Sequence, residues 1–194
     1  MSKKKINAQI VRNAPIVWMD LEMTGLDPLT DTILEMATII TDNNFNVIAV
    51  GPEIIINHPE HVLETMNEWC QKIHKKSGLC DAVLRSSTSL AEAQEQTLEF
   101  IKEYCPEGAS VLAGNSVWND RQFLAIHMPD IIDYLNYRII DVSSVKELVL
   151  RWYPGDVHAE FKKPDNHRAL EDIKASIEEL KHYQKYFFKS RLFN

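Results

Sequence analysis

Ile16-Val17-Trp18-Met19-Asp20-Leu21-Glu22 is the stretch on which the fold turns. Apart from its two acids it is apolar throughout, the composition of a strand buried on both faces. Side chains alternate along a strand, so Asp20 and Glu22, two apart, face the same way. Two carboxylates side by side on a buried face repel each other and are costly to desolvate, unless cations sit between them. The alternative is a solvated face of the kind many edge strands present, and the segment alone does not choose between the two.

Working outward, residues 33–42 and 47–57 read as two further strands joined by a turn near Asn43-Asn44, making an antiparallel meander of three. Residues 61–75 carry Val62, Met66, Trp69 and Ile73 at helical spacing, with Gly78 as a stop. Ser89 with Glu92 is a capping-box signature that opens a helix through about residue 104. A short strand over 110–114 leads into a helix at about 119–127, which Pro129 interrupts. A fifth strand spans 138–142. Ser144 with Glu147 is expected to cap the next helix, which Pro154 ends, and 153–164 reads as a polar loop. The last helix, from about residue 168, buries Leu170, Ile173, Ile177 and Leu180. Antiparallel strands followed by alternating helices and strands predict an α/β sheet with helices packed on its faces. The absence of repeats, low-complexity tracts and Gly/Ser linkers predicts one domain over 1–194.

Composition excludes several classes. Hydrophobic residues make up 45% and charged residues 25%, as in ordinary globular chains. No apolar run approaches the roughly 18 residues of a membrane span. The basic start, Met1 to Lys5, is followed by no signal core, which predicts no membrane partner and a cytoplasmic protein. Cys70, Cys80 and Cys105 are odd in number and lack any CxxC spacing, so they read as reduced structural thiols. The formal charge is 21 − 28 = −7. Proteins that grip long nucleic acid are usually basic, because phosphate neutralisation dominates their affinity. An acidic chain therefore acts on something else, or on a short piece held by metal ions and a few specific contacts.

Three further residues extend the acid pair. Asp120 follows Gly114-Asn-Ser and a short strand, in the first turn of a helix, where the macrodipole alone would favour an acid. Asp172 lies near the start of the last helix, close to its apolar stripe, with Glu171 better placed for solvent. His167 is five residues before Asp172, so the two would not stack on one helix; the histidine belongs to the preceding loop, or is simply a cap or surface residue.

Taken together, the Asp-x-Glu strand, a middle Asp after a GNS turn and a terminal His-x4-Asp resemble the four-acid-plus-histidine exonucleases of the proofreading superfamily. Asp20-Leu-Glu-Met-Thr-Gly-Leu-Asp27, Asn67-Glu-Trp-Cys70, Gly114-Asn-Ser116, Tyr137-Arg-x-x-Asp-Val-Ser-Ser-Val-Lys-Glu-Leu148 and His167-Arg-Ala-Leu-Glu-Asp172 are similar to the oligoribonuclease family over about residues 14–185. The resemblance implies an RNase H-like exonuclease fold with a five-stranded mixed sheet. It implies a 3′→5′ exoribonuclease acting on short RNA, dinucleotides above all, and releasing nucleoside 5′-monophosphates. Asp20, Glu22, Asp120 and Asp172 would hold two divalent ions, Mg²⁺ or Mn²⁺, as suits hard oxygen ligands with no thiolate nearby. His167 would be the general base.

The resemblance also assigns Leu26 as a wedge beside the bases, with Trp69 and His74 as further nucleotide contacts; helical spacing alone would read Trp69 as core. Ser116, Arg138, Ser143 and Ser144 would close around a 5′-phosphate, although Ser143 and Ser144 could equally be helix caps. Tyr137 would reach across a homodimer interface into the neighbouring site. Val117-Trp118-Asn119 departs from the family, which more often has a small, Gln-ending stretch before this Asp. The competing readings are a general DNA or RNA exonuclease of the same fold and a catalytically silent nucleotide-binding module.

Overall fold

The computed structural model describes residues 8–163 and 168–188. Along the chain run α1 (Ala8–Asn13), β1 (Ile16–Met23), β2 (Ile33–Thr41), β3 (Val47–Val50), β4 (Ile54–Ile55), α2 (Glu60–Glu64), α3 (Glu68–Lys76), α4 (Leu79–Arg85), α5 (Leu90–Tyr104), β5 (Leu112–Gly114), α6 (Trp118–His127), α7 (Pro129–Tyr134), β6 (Ile139–Asp141), α8 (Val142–Trp152) and α9 (Ala169–Phe187).

β1 lies at the centre of the sheet, in the order β3-β2-β1-β5-β6, with β4 pairing β2 off this path. It pairs antiparallel with β2 and parallel with β5, and β5 pairs parallel with β6. The carboxyl ends of the parallel strands therefore lie at one edge, where α/β sheets collect functional groups. The alternation expected for β1 is observed. Val17, Met19 and Leu21 pack with Ile101, Phe123, Leu124 and Ile131, on the side of α5, α6 and α7. Ile16 and Trp18 pack on the other side with Val149, Ile173, Ile177, Leu180 and Tyr183, from α8 and α9. Asp20 and Glu22 share the parity of Trp18, so the strand directs both acids toward α9.

Several boundaries differ from the sequence reading. The strand expected over 47–57 is broken between β3 and β4 at Gly51-Pro52, where proline has no N–H to give a ladder. The helix expected over 61–75 is two helices, because Asn67 takes the Cys70 N–H on its side chain and starts α3 afresh. α4 was not expected; with α2 and α3 it covers Leu34 through Leu63, Met66, Leu79 and Val83. The Ser89–Glu92 capping box is present in full. α8, however, is capped by Asp141 and not by Ser144. The Asp141 carboxylate accepts the Ser144 N–H at 3.3 Å, so the helix leaves β6 without a loop and both serines lie in its first turn. The three cysteines are free and buried, and burial pushes their thiols up. No helix among the described residues is long and apolar enough to cross a membrane.

Gly114 sets how closely β5 approaches β1. A Cβ there would lie 2.8 Å from the Met19 carbonyl oxygen, a backbone atom in a paired strand that has little room to move. Gly114→Ala is expected to destabilise the fold by about 1–3 kcal/mol, as overpacking does. Chemical denaturation should report it as a lower midpoint with an unchanged slope, and an unaltered midpoint would show that the sheet edge yields.

Candidate active site

The acids of the site come from three chain segments at the carboxyl edge of the sheet. β1 supplies Asp20 and Glu22, and its pairing with β2 shifts register between Glu22 and Met23. A bulge of this kind ends regular pairing and re-aims the side chains beside it. α9 supplies Asp172 from its first turn. Ligand oxygens of Asp20, Glu22 and Asp172 all lie within 4.8 Å of one another. Asp120, buried in the first turn of α6, joins from below: its Oδ1 accepts the backbone N–H of Leu21, the residue between the two β1 acids, at 3.0 Å. The structure thus gathers all four predicted acids, three in a mutual triangle and the fourth against its base.

This gathering carries a large electrostatic penalty. Burial, followed by repulsion from Asp120, Glu22 and Asp172, holds the Asp20 carboxyl well above its usual range. Glu22 is pushed up to about 8 by burial and then by Asp172 and Glu35, against the opposing pull of Arg168. Asp120 is pushed up to about 7, chiefly by burial, while the Leu21 N–H works the other way. A set of hard, mutually repelling oxygens converging within one ligand sphere fits a divalent cation, which would relieve the repulsion and occupy the shared space.

The other predicted residues fall into two groups. Ser116 and Ser143 are brought together, their hydroxyls 3.1 Å apart, and the Ser143 Oγ also accepts the Ser116 N–H at 3.0 Å. Ser116 holds a left-handed φ of 49° there, fixed by a second bond from its N–H to Asp141 Oδ1 at 3.2 Å. Ser144 is exposed beside them. Arg138 and Tyr137 form an exposed pair with the guanidinium 4.4 Å from the ring centroid, on a turn pinned by Asn136. Leu26 is 76% exposed on a loop braced by Asp31, which accepts from Thr24 Oγ1 and the Asp27 N–H.

Trp69 is 62% exposed on α3, so helical spacing misled: it is not a core residue. His74, expected to meet a nucleotide, is buried. Its Nε2 lies 2.9 Å from the Met23 carbonyl and its Nδ1 3.8 Å from Glu22, beside the acid cluster. His167 lies outside the described residues.

Sequence reasoning missed a set of polar residues that support the site. Asn115, of the GNS turn, donates to Ser176 and Glu179 on α9 and accepts from Ser143. Glu35 on β2, opposite Glu22, is fully buried and bound by Arg168. Lys163 pairs with the buried Glu179 at 2.6 Å. One signal was available: Glu35 is an isolated acid in the nine-residue apolar strand ILEMATIIT.

Comparison with known proteins bears on this arrangement. The family model described as Exonuclease matches residues 17–180. The mitochondrial oligoribonuclease of Mus musculus is 49% identical over 176 residues, covering 91% of this chain and 74% of that protein. The oligoribonuclease of Pseudomonas putida is 49% identical over 174 residues, 90% of this chain and 96% of its own length. Among solved structures, an Exonuclease I from Methylocaldum szegediense superposes with a TM-score of 0.70 at 16% identity, over 90% of this chain and 41% of that one. E. coli Exonuclease I in complex with a dT13 oligonucleotide gives a TM-score of 0.67 at 15% identity, over 88% and 41%. At those identities the likeness carries the fold alone, and this chain spans less than half the length of those exonucleases. The match to the exonuclease model and the near-half identity along most of the chain place it in a family: this protein belongs to the oligoribonuclease family of exonucleases.

Proposed function

We propose that this chain, as one exonuclease domain over 1–194, is a 3′→5′ exoribonuclease that hydrolyses short oligoribonucleotides, dinucleotides above all, to nucleoside 5′-monophosphates. The observation that carries the reading is the triangle of Asp20, Glu22 and Asp172 with Asp120 at its base, a few residues from the Ser116–Ser143 pair. The four carboxylates would hold two divalent ions, Mg²⁺ or Mn²⁺. When bound, such ions supply Lewis-acid activation of water and charge stabilisation of the leaving oxygen.

The chain's own residues do the rest. His167 takes a proton from the attacking water. The water oxygen bonds to phosphorus as the P–O3′ bond breaks, leaving the phosphate on the 5′ carbon of the released nucleotide, and the departing O3′ takes a proton from solvent to become the 3′-hydroxyl of the remainder. Leu26 and Trp69, both large, apolar and exposed, offer faces on which bases stack or wedge. His74, with its Nδ1 3.8 Å from Glu22, is a further contact for the terminal nucleotides. Ser116, Ser143, Ser144 and Arg138 close around a 5′-phosphate, with hydroxyls, the first turn of α8 and a guanidinium as donors. A cap of that kind excludes longer strands, and the net charge of −7 disfavours any long phosphate tract. Tyr137, 69% exposed, crosses a homodimer interface into the partner's site. The protein works in the cytoplasm.

Turnover of 5′-phosphorylated RNAs of increasing length, with Mg²⁺ or with chelator, tests this. The expected result is metal-dependent release of 5′-mononucleotides, fastest on the dinucleotide, with Asp20→Asn and Asp172→Asn each lowering kcat by roughly 100-fold or more. Equal rates on a dinucleotide and a long RNA would make it a general exonuclease, and no release at all would leave only a binding module. The cap generates a separate expectation. Arg138→Ala should weaken binding of a 5′-phosphorylated dinucleotide by roughly 10- to 100-fold, the worth of a charge-assisted contact, while sparing its unphosphorylated counterpart. Equal losses on both ligands would remove Arg138 from the cap.

A further inference from the structure

The GNS turn carries the chain from β5 into α6, and its middle residue bonds outside that segment with both ends of its side-chain amide. Asn115 Nδ2 lies 2.7 Å from Ser176 Oγ and 3.2 Å from Glu179 Oε2, both on α9. Its Oδ1 accepts the Ser143 Oγ–H at 3.1 Å, from the first turn of α8. Ser176 and Glu179 are 2% and 1% exposed, so this half of the joint excludes water.

The direction of each bond follows from what the groups can donate. A carboxylate only accepts, so the NH₂ end of the amide must meet Glu179 and the oxygen is left for Ser143. The one hydroxyl hydrogen of Ser176 goes to the Asp172 carbonyl at 2.7 Å, so its oxygen accepts from Asn115. Glu179 is held in turn by Lys163 Nζ, 2.6 Å from Oε2, and by Tyr183 Oη–H, which donates to Oε1 at 3.0 Å. Turning the amide over would set its oxygen against the carboxylate and leave a buried acceptor unpaired.

What this amide joins bears on function. Ser176 and Glu179 follow Asp172 by four and seven residues, on the same face of α9. At the other end, Ser143 Oγ accepts the Ser116 N–H at 3.0 Å and lies 3.1 Å from the Ser116 hydroxyl. α8 and α9 also pack through Val149, Ile173, Ile177 and Leu180. Apolar contact holds two helices together but is non-directional. The amide adds register, setting the Ser116–Ser143 pair against the helix that presents Asp172. In a dinucleotide, one nucleotide separates the 5′-phosphate from the bond to be cut, so an error in that register displaces the reacting phosphorus from the acids.

We propose that Asn115 is a positioning residue that acts through Ser143, holding the 5′-phosphate seat in register with α9 so that a phosphate bound there delivers the scissile bond to the acid cluster. This rests on the reading of Ser116 and Ser143 as part of that seat. Asn115 is assigned no contact with the substrate. Binding energy from the remote phosphate then goes into placing the reacting centre, and appears in the rate as well as in affinity.

The readout is the 5′-phosphate advantage: the single-turnover rate on a 5′-phosphorylated RNA dinucleotide divided by the rate on its unphosphorylated counterpart, each with Mg²⁺ and saturating enzyme. The wild type should show an advantage of roughly 10- to 100-fold, the scale on which orientation acts. Asn115→Ala should remove most of it while lowering the rate on the unphosphorylated dinucleotide by less than about 3-fold. In a Ser143→Ala background, Asn115→Ala should cost less than about 2-fold more on the phosphorylated substrate, because its effect has no hydroxyl left to act through.

A charge swap checks the joint without relying on Asn115→Ala folding. Asn115→Asp sets a second carboxylate against Glu179 and should also lose the advantage. Adding Glu179→Gln turns the donor–acceptor pair round at unchanged net charge, and should recover at least about 5-fold of the loss. Equal losses on both dinucleotides, full multiplicative losses in the Ser143→Ala background, or no recovery in the swap would overturn the proposal and leave Asn115 a joint of the fold. A wild type that cleaves both dinucleotides alike, still with Mg²⁺-dependent release of mononucleotides, would overturn the phosphate seat and this inference with it, while the exonuclease reading stands.

Discussion

Mutual repulsion among carboxylates is the constraint around which the active-site end of this protein is built. β1 runs through the middle of the sheet, so the face that carries Asp20 and Glu22 also carries Trp18 and looks onto α9. Asp172 approaches from α9 and Asp120 from α6, bringing four acids into one low-dielectric corner. Coulomb repulsion is strong there because little water screens it. Fixed donors offset part of it: the Leu21 N–H on Asp120, and Arg168 pulling against the rise at Glu22. What these leave uncompensated is the pull on a divalent cation. The same preorganisation costs stability and creates the binding site.

The remainder of the edge is a continuous polar lattice. Ser116 and Ser143 meet at 3.1 Å, Asn115 joins Ser143 to Ser176 and Glu179, and Ser176 returns to the Asp172 carbonyl. Asp141 holds the Ser116 N–H while capping α8. A buried network of this kind, once satisfied, fixes one geometry, because any displaced member leaves an unpaired polar group behind. The pair proposed to receive a 5′-phosphate is thereby mechanically continuous with the helix that presents Asp172. Gly114 sits at the start of this lattice, where β5 must come within reach of the Met19 carbonyl.

Much of this was legible in the sequence, for identifiable reasons. The parity of Asp20 and Glu22 is a property of any strand, and burial of the strand followed from its apolar residues. The capping box at Ser89 and the break at Pro129 were local signals and were found where expected. What was not legible depends on contacts far apart in the chain. Trp69 has the spacing of a core residue, yet α3 turns it outward while burying Cys70 and His74. Ser144 looked like a cap because it precedes Glu147 by three residues. Asp141 took that role because its extended backbone at the end of β6 leads straight into the helix. Glu35 and Glu179 meet partners 133 and 16 residues away in the chain, and neither pairing follows from local periodicity.

The acid cluster also fixes a sign for the pH dependence. A carboxyl whose folded-state pKa is raised keeps a proton that the unfolded chain has already lost. Its contribution to metal-free stability is therefore present at low pH and is lost as pH rises from the ordinary carboxylate range through about 7 and 8, to which burial and neighbouring acids push Asp120 and Glu22. A cation that binds the deprotonated cluster relieves the same repulsion, and its affinity rises as the protons leave. The most direct measurement is the melting temperature with a fixed excess of Mg²⁺ and with chelator, at a pH near 6 and a pH near 8. The gain in Tm from Mg²⁺ should be larger at the higher pH, and Asp172→Asn should shrink it. A gain that is equal or smaller at the higher pH would contradict a metal site built from buried, mutually repelling carboxylates.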